Sequence, residues 1–276
     1  MHQEILSALL FRSDRFWIWL AAYAYILASC YSAYSLAVKR LMAPRLTFGL
    51  ILVGFFCQSM FLFDRGHQIG RCPITNFFEL LVFMSWSVVL FYIFIGTSFR
   101  LSILGVLTAP FVVVICLWAL ALPDQGPAWG KLPVNPWLEA HTSFSMVACG
   151  AFALAGLAGL VYLFQENQLK TRKPSSIVFR LPPIATLTSV STRLIGLGFV
   201  LFTIGLTAGF FIGQEPDWRK VTWSLAVWAL YGGILLARIR RTVAGKWIAT
   251  LSIVAFSLLL STFWGIRFLS DTASLR

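Results

Sequence analysis

The chain has 276 residues, of which 59% are hydrophobic and only 12% are charged, and its mean hydropathy is +0.82. Soluble globular domains carry about a quarter charged residues, so this composition excludes a soluble domain and indicates an integral membrane protein. Lys and Arg outnumber Asp and Glu by 22 to 10, which gives a formal net charge of +12. In a membrane protein such an excess orients the helices and is no indication of nucleic-acid binding.

Eight apolar runs bounded by charged residues or proline are long enough to cross a bilayer, which takes about 20 residues. In chain order they are Phe16 to Val38, Leu46 to Phe63, Asn76 to Ile95, Leu101 to Leu122, Leu138 to Phe164, Leu194 to Gly213, Val221 to Ala237 and Trp247 to Ile266. The sequence therefore predicts an all-α polytopic membrane protein, a bundle of eight transmembrane helices in a single membrane domain over residues 1–276.

Basic residues are distributed unequally between the alternate loops of this bundle. One set of loops, which includes residues 170–173 and 238–246, holds 13 of the 22 Lys and Arg residues. Because basic residues favour the cytoplasmic side, this distribution predicts that both termini lie outside.

Tryptophan is concentrated at the predicted outer ends of the helices. Eight of the 11 tryptophans lie there, namely Trp17, Trp19, Trp118, Trp129, Trp137, Trp218, Trp223 and Trp264. Two interpretations stay open. One is an interfacial aromatic belt, and the other is a surface that stacks on a flat, polarisable ligand.

All three histidines, His2, His67 and His141, lie on the same predicted outer side. A neutral imidazole is the usual axial donor to haem iron, which makes His141, at the outer start of the fifth span, the main candidate metal ligand. An interfacial histidine bonded to water is the alternative. His67, which we expect in a solvated loop from Asp64 to Pro73, is a second candidate metal ligand.

Two further features of the spans allow both a structural and a functional interpretation. Glu79 lies one turn into the third span, where a carboxylate is costly and marks a functional candidate. We favour a capping role, because Asn76 followed three residues later by Glu resembles a capping box. The small residues Ala151, Ala155 and Gly159 favour close helix packing over the approach of a planar ligand.

Catalytic motifs are missing from the sequence. It contains no G-x-S-x-G, no H-E-x-x-H and no glycine-rich phosphate loop, which argues against hydrolytic and phosphoryl-transfer chemistry. The five cysteines are odd in number and include no C-x-x-C, so neither a disulfide framework nor a thiolate metal site is indicated.

Four segments, in order along the chain, carry a family resemblance. They are RCPITNFFELLVFMSW from Arg71, WLEAHTSFSMVACGAFALAGLAGLVYLFQE from Trp137, LPPIATLTSVSTRLIGLGFVLFTIGLTAGFF from Leu181 and VTWSLAVWALYGGILLARIRR from Val221. Together they resemble the cytochrome c assembly family of the CcsA/ResC type, and especially its shorter HemX/YpjD-like branch, with a family core of about residues 46–268.

The resemblance implies haem as the cofactor, with His141 as an external haem ligand and a tryptophan-rich haem-binding loop before the seventh helix. This loop would place Asp217, Trp218 and Trp223 at the haem, with Trp129, Trp137 and Arg219 as further contacts and Arg219 or Lys220 beside a propionate. The sequence departs from the family here, since GQEPDWRKVTW keeps Trp223 but holds Asp217 and Trp218 out of register. It also has no histidine after the eighth span.

The function implied by the resemblance is haem handling at the outer face of the inner membrane during cytochrome c maturation. The expected partners are the lipid bilayer, a second cytochrome c assembly subunit and apocytochrome c, with no nucleic acid. At most the chain would be a subunit of a cytochrome c haem lyase. The alternative is an accessory or regulatory membrane protein of the HemX type that binds no haem.

Overall fold

The computed structural model describes the backbone of residues 2–38, 44–99, 102–122, 135–170, 183–213, 218–240 and 243–273. Within these ranges it describes the side chains of residues 15–35, 38, 45–95, 104–122, 135–170, 183–213, 218–240 and 243–261. Trp129 and Asp217 therefore lie outside the described residues, as do the side chains of His2 and Trp264.

Eight α-helices occupy the described ranges. They are α1 (His2–Ala37), α2 (Pro44–Ile69), α3 (Phe77–Phe99), α4 (Ser102–Ala121), α5 (Pro136–Lys170), α6 (Ile184–Phe210), α7 (Trp218–Ile239) and α8 (Gly245–Ala273). Over the described residues, α1 to α7 each contain a stretch long and apolar enough to cross a membrane, and α8 contributes the shorter apolar stretch Gly245–Ser261. The predicted all-α fold of eight helices is confirmed.

The helices extend beyond the predicted spans at several ends. α2 continues past Phe63 to Ile69, and α6 begins at Ile184, well before the predicted start at Leu194. An apolar run marks only the part of a helix that lies in hydrocarbon, whereas the helix itself continues until its backbone is interrupted. For α2 that interruption is Gly70, whose φ of 66° is open to glycine at little cost.

α5 is the central helix of the bundle and packs against α3, α6 and α8. Its small residues allow this packing. A Cβ on Gly150 would lie 2.5 Å from Cβ of Ser87 on α3, and a Cβ on Gly159 would lie 2.8 Å from the carbonyl oxygen of Ala249 on α8. The prediction that the small residues of this span serve close helix packing is thereby confirmed.

Contacts divide the helices into two groups that are each continuous in sequence. α1 to α4 pack on one another, α5 to α8 do the same, and the main contact between the groups joins α3 to α5. Because successive helices alternate in direction, one end of the bundle collects the ends of α2, α4 and α6 and the starts of α3, α5 and α7. We call it the His141 end.

Candidate functional site

His141 lies in the second turn of α5, half-buried against α6. Its Nδ1 is 2.7 Å from the carbonyl oxygen of Gly205. A carbonyl oxygen only accepts hydrogen bonds, so Nδ1 is the protonated nitrogen and donates to it. In the neutral ring the lone pair then resides on Nε2, which is the form of imidazole that binds a metal.

Two glycines of α6 allow close contact with α5 here, Gly209 with the ring of His141 and Gly205 with Ser145. A Cβ on Gly209 would lie 2.8 Å from Nδ1 of His141, which is closer than real Cβ contacts allow. A Cβ on Gly205 would lie 2.7 Å from Oγ of Ser145 on α5. Sequence reasoning missed both glycines, although their spacing of four residues within an apolar helix is the small-x-x-x-small signature of close helix contact.

Several polar atoms beside His141 have no hydrogen-bond partner in the described part of the chain. Oε1 of Glu139 and Oγ of Ser145, both on α5, are buried and without a partner. No hydrogen bond to Nε2 of His141 occurs among the described residues either. Unsatisfied buried polar atoms are rare in folded proteins, so this stretch of α5 has hydrogen-bonding and ligating capacity that the fold itself does not use.

Asn135 fixes the start of α5 next to the end of α6. Its Oδ1 accepts hydrogen bonds from the backbone N–H groups of Trp137 (3.0 Å) and Leu138 (3.4 Å), which is an N-cap. Its Nδ2 donates to the carbonyl oxygen of Ile212, just after α6, at 2.9 Å. The ring of Trp137 packs on Phe211 with centroids 4.9 Å apart.

Only some of the predicted tryptophans at this end are buried or hydrogen-bonded within the fold. Trp137, Trp218 and Trp223 are 48%, 70% and 44% exposed, and Arg219 is also exposed. By contrast, Trp17 is half-buried and donates from Nε1 to Oδ2 of Asp64 at 3.1 Å. Trp137, Trp218 and Trp223 belong to α5 and α7, which both pack on α6, and Trp19 on α1 is a further exposed indole at 45%.

His67 lies in the last turn of α2, so its predicted place in a loop is wrong. The helix continues through Asp64 and Arg65 because these charged side chains find partners on neighbouring helices. The ring of His67 is exposed and lies parallel to Phe63, with centroids 6.2 Å apart. Among the described residues no three His, Cys, Asp or Glu side chains come together as a metal site.

Glu79 belongs to a polar cluster that is fully bonded. Its Oε1 accepts from Nε of Arg65 at 2.8 Å, and the two side chains are 0% and 3% exposed. Its Oε2 accepts from both N and Oγ1 of Thr75 at 2.7 Å. Asn76 Oδ1 accepts from the backbone N–H of Glu79 at 2.8 Å, so the predicted cap is confirmed, but Arg65 was not anticipated.

Cys72 lies between the Glu79 cluster and α5. Its Sγ accepts a hydrogen bond from Oγ of Ser143 at 3.3 Å. Burial raises the pKa of the Cys72 thiol, the nearby carboxylates Glu139 and Glu79 raise it further, and the Ser143 hydrogen bond opposes them. The thiol is therefore a poor nucleophile near neutral pH.

Known proteins match most of this chain. The family model described as "Cytochrome C assembly protein" matches residues 74–274. The "Cytochrome c biogenesis protein CcsA" of Guillardia theta is 26% identical over 247 residues, covering 80% of this chain and 82% of that protein. The protein of the same name from Porphyra purpurea is 27% identical, covering 76% and 80%. "Protein HemX" of Brevibacillus brevis is 28% identical over 228 residues, covering 80% and 84%.

Proposed function

This chain belongs to the cytochrome c assembly protein family, and we propose that within it the chain is a haem-handling membrane protein that holds haem at the His141 end for cytochrome c maturation. The observation that carries the proposal is the state of His141. Its Nδ1 is bonded to Gly205, and its Nε2 has no partner among the described residues. A neutral imidazole held in this way suits an axial haem ligand.

The residues around His141 fit a flat, amphipathic group. Haem, when bound, would supply an iron centre that Nε2 of His141 would ligate. The exposed rings of Trp137, Trp218 and Trp223 offer faces for stacking on a porphyrin. Arg219 or Lys220, in the first turn of α7, would pair with a propionate.

Three further residues complete the proposed site. Trp129 and Asp217, which lie outside the described residues, are proposed as haem contacts on the family resemblance. His67, on α2, is retained as a second metal-ligand candidate, and its exposed ring is open to a ligand.

A spectrum of the purified protein tests this proposal. Wild type purified in detergent from haem-replete cells should show a Soret band. His141→Ala should shift or abolish it, because loss of an axial imidazole changes the spin state and weakens retention. His67→Ala tests the second candidate ligand and should change the band less. Wild type that purifies without haem would contradict the proposal.

We also propose that the chain acts as one membrane domain in the inner membrane with the His141 end and both termini outside, as the distribution of basic residues predicts. Reporter fusions after Lys173 and after Lys131, both in segments outside the described residues, should then report the inside and the outside. Fusions that report the same compartment would overturn this orientation.

A second candidate function follows from the similarity to Protein HemX, which at 28% identity over 80% of this chain is close to the 26% over 80% for the CcsA protein of Guillardia theta. In this alternative the chain binds no haem and acts through protein contacts as an accessory or regulatory membrane protein linked to tetrapyrrole metabolism. The Soret band distinguishes the two candidate functions.

For the first function we propose a second cytochrome c assembly subunit and apocytochrome c as partners, with the chain at most a subunit of a haem lyase.

A further inference from the structure

The side chain of His141, on α5, lies unusually close to the backbone of α6. Its ring lies against the stretch from Gly205 to Gly209, and a methyl group on Gly209 would lie 2.8 Å from Nδ1 and 3.2 Å from Cε1. The same ring nitrogen is 2.7 Å from the carbonyl oxygen of Gly205. α6 therefore provides both the room for the ring and a hydrogen-bond acceptor for one of its nitrogens.

The choice of nitrogen has a chemical consequence. Neutral histidine exists in two tautomers, and only the nitrogen without a proton can donate its lone pair to a metal. An acceptor at Nδ1 keeps the proton there and leaves the lone pair on Nε2. Groups that hold a ligating histidine in this way contribute strongly to metal affinity, although they never touch the metal.

We propose that Gly205 and Gly209 are positioning residues, which hold His141 as the Nδ1–H tautomer with Nε2 as the ligand nitrogen. In this proposal the backbone carbonyl of Gly205 selects the tautomer. The absent side chain of Gly209 allows the ring to reach that carbonyl. The proposal rests on the proposed function, because haem binding is what gives Nε2 its use.

The tautomer can be measured in the protein without haem. His2→Gln and His67→Gln leave His141 as the single histidine, which is labelled with ¹⁵N and observed by NMR in detergent at about pH 8, where an ordinary imidazole is neutral. The expected result is a protonated Nδ1 and an unprotonated Nε2. An Nε2–H tautomer would overturn the proposal, and this measurement requires no change in α6.

Gly209→Ala tests the role of α6 directly, and Gly196→Ala is its matched control. Both glycines lie on α6, but a Cβ on Gly196 would have nothing within 4 Å. Gly209→Ala should displace the His141 ring from the Gly205 carbonyl, so that both tautomers are populated. Haem retention should then fall by about tenfold to a hundredfold, because a metal-ligating histidine loses the hydrogen-bond partner that orients it. Gly196→Ala should retain both the wild-type tautomer and the wild-type haem content. Equal behaviour of the two variants would contradict the proposal.

The two measurements separate this proposal from the proposed function. Protein with the Nδ1–H tautomer but no haem under any condition would support the positioning role and contradict haem binding. Protein that binds haem through His141, but carries the proton on Nε2 in the haem-free state, would support haem binding and contradict the positioning role. If Gly209→Ala does not fold, the tautomer of the wild-type ring decides.

Discussion

Two polar sites lie at the same end of the bundle, and they differ in how completely their atoms are bonded. At the Glu79 cluster, both carboxylate oxygens accept hydrogen bonds, from Arg65 and from Thr75. At the His141 site, Nδ1 is bonded to Gly205, while Oε1 of Glu139 and Oγ of Ser145 have no partner in the described part of the chain. Each site lies in the first turns of a helix, so position along the helix does not explain the difference.

This difference is the one expected between a structural site and the proposed binding site. A buried ion pair with every atom bonded stabilises one arrangement of its helices and has nothing left to offer a ligand. A half-buried histidine with a bonded Nδ1 and a free lone pair has its orientation fixed and its ligating atom available. Substitutions should therefore change stability at the first site and ligand binding at the second.

The largest effect on stability is expected for Glu79→Ala. It leaves the buried Arg65 guanidinium without its carboxylate, and breaking a buried pair in this way costs about 3–5 kcal/mol. Thermal unfolding of detergent-purified protein measures the loss. The double variant Arg65→Met, Glu79→Gln is the control and should recover most of the stability, because both charges are removed together. A single variant as stable as wild type would contradict the structural role of this ion pair.

His141→Ala should show the opposite pattern. The ring is half-buried and makes one hydrogen bond, so its loss should lower the free energy of unfolding by only about 1 kcal/mol. Haem retention should fall by more than for any tryptophan variant, because a metal bond is removed rather than a ring contact. Parallel unfolding and Soret measurements on one preparation test this. A large loss of stability without a change in the spectrum would make His141 a structural residue.

Trp218→Ala and Trp223→Ala should have a moderate effect on haem retention. Aromatic stacking contributes about 0.5–1.5 kcal/mol beyond the burial of area, roughly a few-fold to tenfold in affinity. Trp247→Ala is a matched control, since Trp247 is also exposed but lies at the opposite end of the bundle. If both variants retain haem as wild type does, these tryptophans are an interfacial belt.

The smallest effect concerns Cys72, which lies between the two sites. Its raised pKa means less thiolate at a given pH, so alkylation of a variant with Cys72 as its single cysteine should be slower in the folded than in the unfolded protein at about pH 8. The difference in alkylation rate between the folded and the unfolded protein should narrow as the pH rises through the pKa of Cys72 in the folded protein. Glu139→Gln should speed the reaction modestly by removing one nearby negative charge. Mass spectrometry measures the rates, and equal rates in both states would exclude the raised pKa.

Hydropathy predicted which parts of the chain form helices. An apolar segment lies in the hydrocarbon of the bilayer, where no water is available, so its backbone N–H and C=O groups must hydrogen-bond to each other within a helix. Hydropathy did not predict where α2 ends. The last turns of that helix carry Asp64 and Arg65, which interrupt the apolar run but bond to Trp17 and Glu79. A local hydropathy pattern cannot reveal partners so distant in sequence. The span was therefore predicted to end at Phe63, before the helix does.

The site was predicted in part, for a similar reason. His141 was singled out by its place at the start of a span and by the family resemblance. Its partner Gly205 lies 64 residues further along the chain. Only the packing of α5 on α6 brings the two together. The four-residue spacing of Gly205 and Gly209, which the sequence reasoning missed, is typical of a close helix contact, but it does not show which side chain the contact admits.

The contact at Gly150 has a consequence for how the protein is made. α1 to α4 precede α5 in the chain and contact one another, so they can assemble in the membrane while the second half is still being synthesised. α5 then docks on α3 where a Cβ on Gly150 would lie within 2.6 Å of the Ser87 backbone. A shift by one residue would bring the side chain of Cys149 or Ala151 against that backbone. This contact therefore favours a single register of α5 on α3, and that register fixes where His141 lies relative to α3.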